Sequence, residues 1–191
     1  HRFSDLRRAA LNAVAPNAAH EALARLDAEW GRDLLIVTQN VDDLHERAGA
    51  RRLLHMHGEL RSALCPACGE RRAWPDPLPP GVRCPACAAG DLRPDIVFFE
   101  EMPYGMEQIE AAIATCDLFV SIGTSGAVYP AAGFVQLANH HGARTLELNL
   151  DQSAGSGWFD ESRLGPASTL VPAWVDELLA GQSTQSSPMS R

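Results

Sequence analysis

Residues 38–60 read TQNVDDLHERAGARRLLHMHGEL, and they directly follow an apolar run at residues 34–37. Four apolar residues in a row, two of them β-branched, predict a strand that is buried on both faces. After the strand come Gln39, Asn40 and Asp42, and fifteen residues after Asp42 comes His57 beside Gly58. Ligands bind at the carboxyl ends of strands in open α/β sheets, so these side chains are candidates for a ligand site.

Strand and helix patterns alternate along the rest of the chain. Strands are predicted at residues 34–38, 96–99, 118–122 and 145–150, and helices at residues 3–14, 18–30, 43–48, 103–114, 131–140 and 171–179. This alternation predicts a Rossmann-like parallel sheet with helices on both faces. Polar or glycine residues follow several strands, and we expect them to meet at one edge of the sheet. The predicted divisions are residues 1–63 and 92–180 for the sheet, 64–91 for an inserted metal module, and 181–191 for a disordered tail rich in Ser and Gln.

Four of the five cysteines form two C-x-x-C pairs, Cys65 with Cys68 and Cys84 with Cys87. Two such knuckles place four thiolates around one tetrahedral zinc ion, which leaves no open position and predicts a structural metal. Two disulfides are the alternative, which a reducing compartment disfavours. The segment is rich in proline, and we expect it to need this staple because it cannot build a core from side chains. The fifth cysteine, Cys116, is expected to be a small buried residue.

Bulk composition narrows the classes of function. The 191-residue chain carries a formal net charge of −8, which argues against nucleic acid as the main partner because phosphate binding needs clustered Lys and Arg. It has neither an apolar run of about 18 residues nor a secretory signal, so a cytoplasmic location without a membrane partner is expected.

Each candidate residue has an ordinary interpretation when taken alone. A single histidine in a strand is more often a satisfied core residue than a catalyst. Asn40 and Asp42 are residue types that populate ordinary turns. Gly123, Thr124 and Ser125 could be no more than a turn after a strand.

Taken together, the ordered motifs resemble the sirtuin family of NAD-dependent protein deacylases and are close to its bacterial members. The order is Q-N-V-D, H-G, two C-x-x-C pairs, R-P-x-x-V-x-F, G-T-S and L-N-L. The likeness also includes residues 16–20, 44–49, 55–59 and 128–134, and it covers about residues 3–180.

The resemblance implies an enzyme that uses NAD to remove the acyl group from a modified lysine, giving nicotinamide, O-acyl-ADP-ribose and free lysine. It implies that His57 is the general base, a role that suits imidazole because this side chain takes up a proton near neutral pH. Gln39, Asn40 and Asp42 would contact the nicotinamide and its ribose. The adenosine half would be held by Gly123, Thr124, Ser125, Asn149, Leu150, Asp151 and Ala167. The acyl-lysine would be bound by Arg7, Val97 and Phe98, with the peptide adding as a strand to an exposed edge.

Three features depart from the family pattern. No glycine-rich phosphate loop precedes Gly31, so we expect an incomplete chain with weakened NAD affinity. Ser4 stands where sirtuins that prefer succinyl or malonyl lysine have Tyr, while Arg7 keeps the charge that could pair with an acidic acyl group. Glu100 stands where the family has Gly, and its charge is expected to weaken substrate binding.

The leading hypothesis is therefore a monomeric NAD-dependent deacylase of acylated-lysine proteins or peptides, acting as a deacetylase or as a desuccinylase or demalonylase. The alternative is a truncated module that binds ADP-ribose or an acylated peptide without turnover. A zinc-ribbon scaffold or nucleic-acid module is the third reading, and the acidic charge disfavours it.

Overall fold

The computed structural model describes the backbone of residues 1–185. Its helices are α1 (Arg2–Leu11), α2 (Ala18–Glu29), α3 (Leu44–Ala48), α4 (Met106–Thr115), α5 (Phe134–His140) and α6 (Ala167–Gln185). Its strands are β1 (Ile36–Thr38), β2 (Leu53–His55), β3 (Gly58–Leu64), β4 (Arg71–Ala73), β5 (Arg93–Ile96), β6 (Leu118–Ile122), β7 (Arg144–Asn149) and β8 (Glu161–Leu164). No helix within these residues is long and apolar enough to cross a membrane.

The chain forms two compact units. The first unit contains residues 1–16 and 35–106, and the second contains residues 17–34 and continues from residue 107. These limits follow packing, whereas the predicted divisions at residues 63 and 91 follow sequence motifs and stay a prediction.

Local signals set several element ends. The Asn17 side chain accepts hydrogen bonds from the N–H groups of Ala19 and His20, and His20 Nδ1 accepts one from the Asn17 N–H, which closes a capping box at the start of α2. Gly49 ends α3 with φ +107°, the left-handed conformation that glycine adopts at low cost. Both ends are as predicted.

The first unit contains two small sheets. Strands β1 and β2 pair in parallel, with Ile36 opposite Leu53 and Thr38 opposite His55. Strand β3 lies between β4 and β5 and pairs with both in antiparallel fashion. Helix α1 packs on β3, and the buried Arg8 donates its Nε–H to the Leu60 carbonyl at 2.7 Å.

The cysteine-rich segment does have a core of its own, contrary to our expectation. Leu78 and Leu92 are almost fully buried, and they cluster with Ala63, Cys65 and Cys84. Cys65 and Cys84 are therefore part of a small apolar core, whereas Cys68 is exposed.

The second unit contains one parallel sheet in the order β6, β7, β8. The central strand β7 is the most enclosed, with Thr145, Leu146, Glu147 and Leu148 all buried. Helices α5 and α6 pack on β7, and α2 packs on α6. Parallel strands accompanied by helices confirm the predicted fold class.

Three expectations need correction. The strand predicted at residues 96–99 ends at Ile96, and Phe98 and Phe99 are exposed. His57 lies in the turn between β2 and β3 rather than within a strand. Helix α6 includes residues 181–185, part of the segment whose composition predicts disorder, because a helix that has started gains one backbone hydrogen bond with each further residue. Residues 186–191 lie outside the described part of the chain.

Candidate functional site

The last residue of β1 and the residues after it are hydrogen-bonded to residues 55–60, which lie at the end of β2 and the start of β3. Four consecutive carbonyl oxygens, those of residues 38–41, accept hydrogen bonds from residues 55–60. Two of the donors are main-chain groups: the Met56 N–H bonds Thr38 at 3.0 Å and the Leu60 N–H bonds Val41 at 2.7 Å. The other two are the rings of His57 and His55. Two of the predicted ligand residues, Gln39 and Asn40, therefore have bonded carbonyls, and the third, Asp42, directly follows this bonded stretch.

His57 bonds the carbonyl oxygen of Gln39 through Nδ1 at 3.1 Å. A carbonyl oxygen only accepts, so Nδ1 carries the hydrogen and the neutral ring has its lone pair on Nε2. The His57 carbonyl in turn accepts the Val97 N–H at 3.0 Å. The structure thus brings together three of the predicted site residues, Gln39, His57 and Val97, in one half-buried place in the first unit.

Asn40 and Asp42 make different local hydrogen bonds. Asn40 is exposed, and its N–H donates to Thr38 Oγ1 at 3.1 Å. One oxygen of Asp42 accepts the Leu44 N–H at 3.2 Å at the start of α3. Asp42 therefore has a local structural role in addition to the predicted ligand role.

A second histidine, which the sequence did not single out, faces the same segment. His55 Nδ1 lies 3.2 Å from the Asn40 carbonyl oxygen, and its Nε2 lies 2.6 Å from Glu46 Oε1. The histidine alternation in H-M-H-G was the one sequence signal that could have drawn attention to it, since two residues two apart in an extended segment share a side.

A buried carboxylate, also missed from sequence, lies near these residues in the first unit. Asp95 is fully buried, accepts the Arg71 Nε–H at 2.7 Å and the Tyr104 hydroxyl at 2.8 Å, and the Arg71 guanidinium lies over the Tyr104 ring. Burial, together with this bond to Asp95, raises the pKa of Tyr104 to about 12. The Tyr104 N–H bonds the Met56 carbonyl at 2.9 Å, so the network connects β4 with the residue before His57.

The predicted acyl-lysine residues lie in two places. Val97 is half-buried beside His57, while Phe98 is exposed and lies under the Arg93 guanidinium. Glu100 has φ +72°, a left-handed conformation that side chains other than Gly, Asn and Asp rarely adopt. Arg7 is exposed on α1, with its guanidinium over the ring of Phe3.

The second unit holds the predicted adenosine residues at the ends of its parallel strands. The Asn149 side-chain N–H donates to the Thr124 carbonyl at 2.7 Å, and its oxygen accepts the Leu150 N–H at 3.0 Å. Asn149 thereby ties the turn after β6 to the end of β7. The remaining residues are Gly123 with φ +63°, the exposed Ser125, Leu150 and Asp151, and Ala167 as the first residue of α6.

The four predicted metal ligands are brought together. Cys65 and Cys87 sulfurs are 3.7 Å apart, Cys68 and Cys84 sulfurs are 3.8 Å apart, and all four lie within 4.8 Å of one another. Zinc–sulfur bonds of about 2.3 Å in a tetrahedron separate the sulfurs by about 3.8 Å, whereas a disulfide needs about 2.05 Å. The spacing fits one structural zinc ion, and the disulfide alternative is wrong.

The two knuckles share the sequence C-P-A-C and the same turn. The N–H of Gly69 bonds the Cys65 carbonyl at 2.9 Å, and that of Ala88 bonds the Cys84 carbonyl at 2.8 Å. Both residues have positive φ, which glycine tolerates better than alanine. The repeat therefore folds twice in one way, with more backbone strain in the second knuckle.

Comparison with known proteins agrees with this geometry. The sequence model of the Sir2 family matches residues 1–130. An NAD-dependent protein deacylase from Caulobacter vibrioides is 54% identical over 184 residues, which cover 93% of this chain and 76% of that protein. The NAD-dependent protein deacylase SIR2rp3 of Leishmania major is 54% identical over 173 residues, covering 88% of this chain and 71% of its own.

Solved structures give the same result. A Sir2 homologue in complex with NAD superposes with a TM-score of 0.81 at 30% identity, covering 97% of this chain and 72% of the homologue. Sir2Af2 bound to a myristoylated histone peptide superposes with a TM-score of 0.74 at 31% identity, covering 90% of this chain and 75% of that one.

Proposed function

This chain belongs to the Sir2 family and is an NAD-dependent protein lysine deacylase, and we propose which part of that reaction each of its residues performs. NAD supplies, as co-substrate, a ribose carbon from which nicotinamide departs. The acyl oxygen of the modified lysine bonds to that carbon as nicotinamide leaves with the electron pair of the broken C–N bond. A ribose hydroxyl then attacks the acyl carbon, one water molecule from solvent adds, and the acyl group stays on ADP-ribose while the lysine amine leaves.

His57 is the general base in this proposal. The observation that supports it is the bond between Nδ1 and the Gln39 carbonyl, because this bond leaves the lone pair of the neutral ring on Nε2. Nε2 takes the proton from a ribose hydroxyl, which makes the ribose oxygen the nucleophile toward the transferred acyl carbon.

Residues 39–42 orient the reacting end of NAD. Gln39 contacts the ribose, and Asn40 and Asp42 line the nicotinamide and ribose pocket. The carbonyls of residues 38–41 are already bonded to residues 55–60, so the side chains on this segment can be held in place without reorganisation when the substrate binds.

The adenosine end of NAD is assigned to the second unit. The bond from Asn149 to the Thr124 carbonyl gives the turn at residues 123–125 a defined shape. Leu150, Asp151 and Ala167 complete the set, with Ala167 opening a long helix whose first N–H groups favour an anion or an acceptor oxygen.

Acylated proteins or peptides are the proposed partners, and a monomer is the proposed state. Val97 and Phe98 bind the acyl-lysine, which suits the place of Val97 beside His57. Arg7 selects among acyl groups: its charge would pair with a succinyl or malonyl carboxylate, and Ser4 cannot contribute the phenol of a tyrosine. A cytoplasmic location is also proposed, because four cysteines that stay reduced to bind zinc suit a reducing compartment.

The test is a stoichiometric assay with the zinc-loaded chain, NAD, and peptides carrying acetyl, succinyl or malonyl lysine. We expect one nicotinamide and one O-acyl-ADP-ribose for each lysine freed, which hydrolysis of NAD alone does not give. Arg7 is exposed, and an exposed charge pair contributes about 1 kcal/mol or less, so Arg7→Ala should lower kcat/KM for the succinyl peptide by up to about fivefold relative to the acetyl peptide. The alternative, binding without turnover, is disfavoured because the relatives are named as enzymes, and it would be adopted if ADP-ribose bound while no peptide released nicotinamide.

A further inference from the structure

His55 has two ring nitrogens that both face oxygen atoms. Nδ1 lies 3.2 Å from the Asn40 carbonyl oxygen and Nε2 lies 2.6 Å from a Glu46 carboxylate oxygen, and the side chain is only 9% exposed. A carbonyl oxygen and an ionised carboxylate can only accept hydrogen bonds. Both ring nitrogens must therefore carry hydrogen, so the arrangement requires the imidazolium form.

The charged groups around the ring agree with that form. Glu46 faces it from α3 and Glu59 from β3, while the Arg71 guanidinium on β4 lies 3.7 Å from Glu59. Arg51 and Tyr104 are the other titratable residues that line the adjoining cavity of about 420 Å³. Burial would lower the pKa of His55, but the bond to Glu46 and the nearby carboxylates leave this pKa raised. Burial would likewise raise the pKa of Glu46, but the bond to His55 leaves it lowered.

A bound metal ion is the other arrangement that these groups could adopt. One ligand atom each of Glu46, His55 and Glu59 lies within 4.8 Å of the others. Against it, the short direct bond between His55 and Glu46 satisfies both groups, and the Arg71 guanidinium, 3.7 Å from Glu59, would repel a cation bound there. The ion pair is therefore the better reading of the geometry.

We propose that His55, held as an imidazolium by Glu46, is a positioning residue that fixes the Asn40 carbonyl and with it residues 39–42, so that loss of one ring proton slows deacylation on the alkaline side. This proposal rests on the proposed function of residues 39–42. His55 does not touch the reacting atoms in it, and it acts through Asn40.

Deprotonation of His55 affects deacylation through the loss of one hydrogen bond. When His55 becomes neutral, the remaining proton stays on Nε2, where the contact with Glu46 is shorter and involves a full negative charge. The Nδ1 lone pair then faces the Asn40 carbonyl oxygen, and two acceptors repel one another. His57, two residues later, has the same carbonyl anchor without such a carboxylate partner for its Nε2 among the hydrogen bonds of the described residues, so its anchor needs only the hydrogen on Nδ1.

Glu46→Gln gives a distinctive outcome. The Gln amide can donate to Nε2 of a neutral His55, which then keeps its Nδ1–H for the Asn40 carbonyl. The variant should retain kcat at pH 7 within about threefold and should lose the alkaline decline of kcat that the wild type shows. His55→Phe removes the anchor at every pH, so kcat should fall about tenfold or more, a typical effect of misplacing a binding group.

The experiment compares pH profiles of kcat for wild type, Glu46→Gln, His55→Phe and the control Glu110→Gln, which makes the same chemical change on the exposed side of α4. The protonation state is measured separately from activity, by the 15N shifts of the ring nitrogens, with the His55 signals assigned by their loss in His55→Phe. Two protonated nitrogens at pH 7 in the wild type and one in Glu46→Gln are expected.

A neutral His55 in the wild type, or a Glu46→Gln profile that superposes on the wild-type profile, overturns the proposal. An imidazolium at His55 in a chain without deacylase activity would instead show that the proposed function is wrong while the ion pair exists.

Discussion

The Nδ1 atom of His57 lies 3.1 Å from the carbonyl oxygen of Gln39, the residue that follows β1. One contact thus fixes both the ring tautomer and the distance between the proposed base and the segment that would carry the ribose. The same contact would be lost with the ring, and the backbone bonds of Met56 and Leu60 to this segment would remain.

We therefore expect His57→Ala to remove turnover and leave the fold in place. Loss of a general base costs about 10²–10⁴-fold in rate. Zinc content should stay at one ion per chain, because the turns that carry the four cysteines are closed by their own backbone hydrogen bonds and do not include His57. Nicotinamide release and metal content are measured on the same sample, with His140→Ala on α5 as the control for removal of an exposed ring. Unaltered turnover in His57→Ala would remove this residue from the mechanism.

Features that depend on local chemistry could be predicted from the sequence. Asn17 caps a helix and Gly49 ends one because each acts on backbone groups within four residues. The cysteine pairs are predictable for a similar reason, since the metal dictates their spacing. Strands β1 and β6 lie in apolar runs, and β7 alternates leucines with polar residues, so each pattern predicts a strand.

Features that depend on tertiary partners were not predictable. Strand β8 reads E-S-R-L and has no apolar run, yet it pairs with β7 because that strand offers an unpaired edge. The sequence R-P-D-I does not indicate that Asp95 is buried. The hydrogen bonds from Arg71 and Tyr104 offset the free-energy cost of burying its carboxylate. The pairing of His55 with Glu46 likewise joins residues nine apart through the turn after α3.

Glu100→Gly should stabilise the protein. Glu100 has φ +72°, and the left-handed conformation costs a side chain about 1 kcal/mol relative to glycine. For a chain of this size, that corresponds to a rise in Tm of about 2–4 °C. The matched variant Glu100→Ala removes the charge but keeps the strained backbone, so its Tm should not rise.

The same pair of variants separates two effects on substrate binding. If the negative charge of Glu100 weakens binding of the acylated peptide, both variants should lower the KM for the peptide. If backbone strain is responsible, only the glycine variant should lower it. Equal Tm values for Glu100→Gly and Glu100→Ala would contradict the strain argument.

Cys84→Ser should lower zinc content well below one ion per chain. Cys84 is almost fully buried and its sulfur lies 3.8 Å from that of Cys68, so a hydroxyl in its place leaves three thiolates and a weaker ligand. The apolar cluster with Leu78 and Leu92 depends on the same sulfur, so the thermal transition should broaden and move down. Cys116→Ser is the control, since the Cys116 thiol bonds the Ile113 carbonyl and is no metal ligand in this arrangement. Zinc retained at one per chain in Cys84→Ser would refute the four-thiolate site.

The His55–Glu46 pair should also appear in the pH dependence of stability. The pKa of His55 is raised above its ordinary value of 6.5, so its contribution is complete below pH 6.5 and is lost as pH rises through the folded-state pKa. The pKa of Glu46 is lowered below its ordinary value of 4.5, so its contribution is present above pH 4.5 and is lost as pH falls through the folded-state pKa. The difference in free energy of unfolding between wild type and Glu46→Gln should therefore be largest between pH 4.5 and 6.5 and should shrink on both sides. Urea unfolding at several pH values measures it, and Glu110→Gln, the same chemical change at an exposed residue of α4, is the control. A difference for Glu46→Gln that did not vary with pH would mean that the two groups are not coupled in the folded protein.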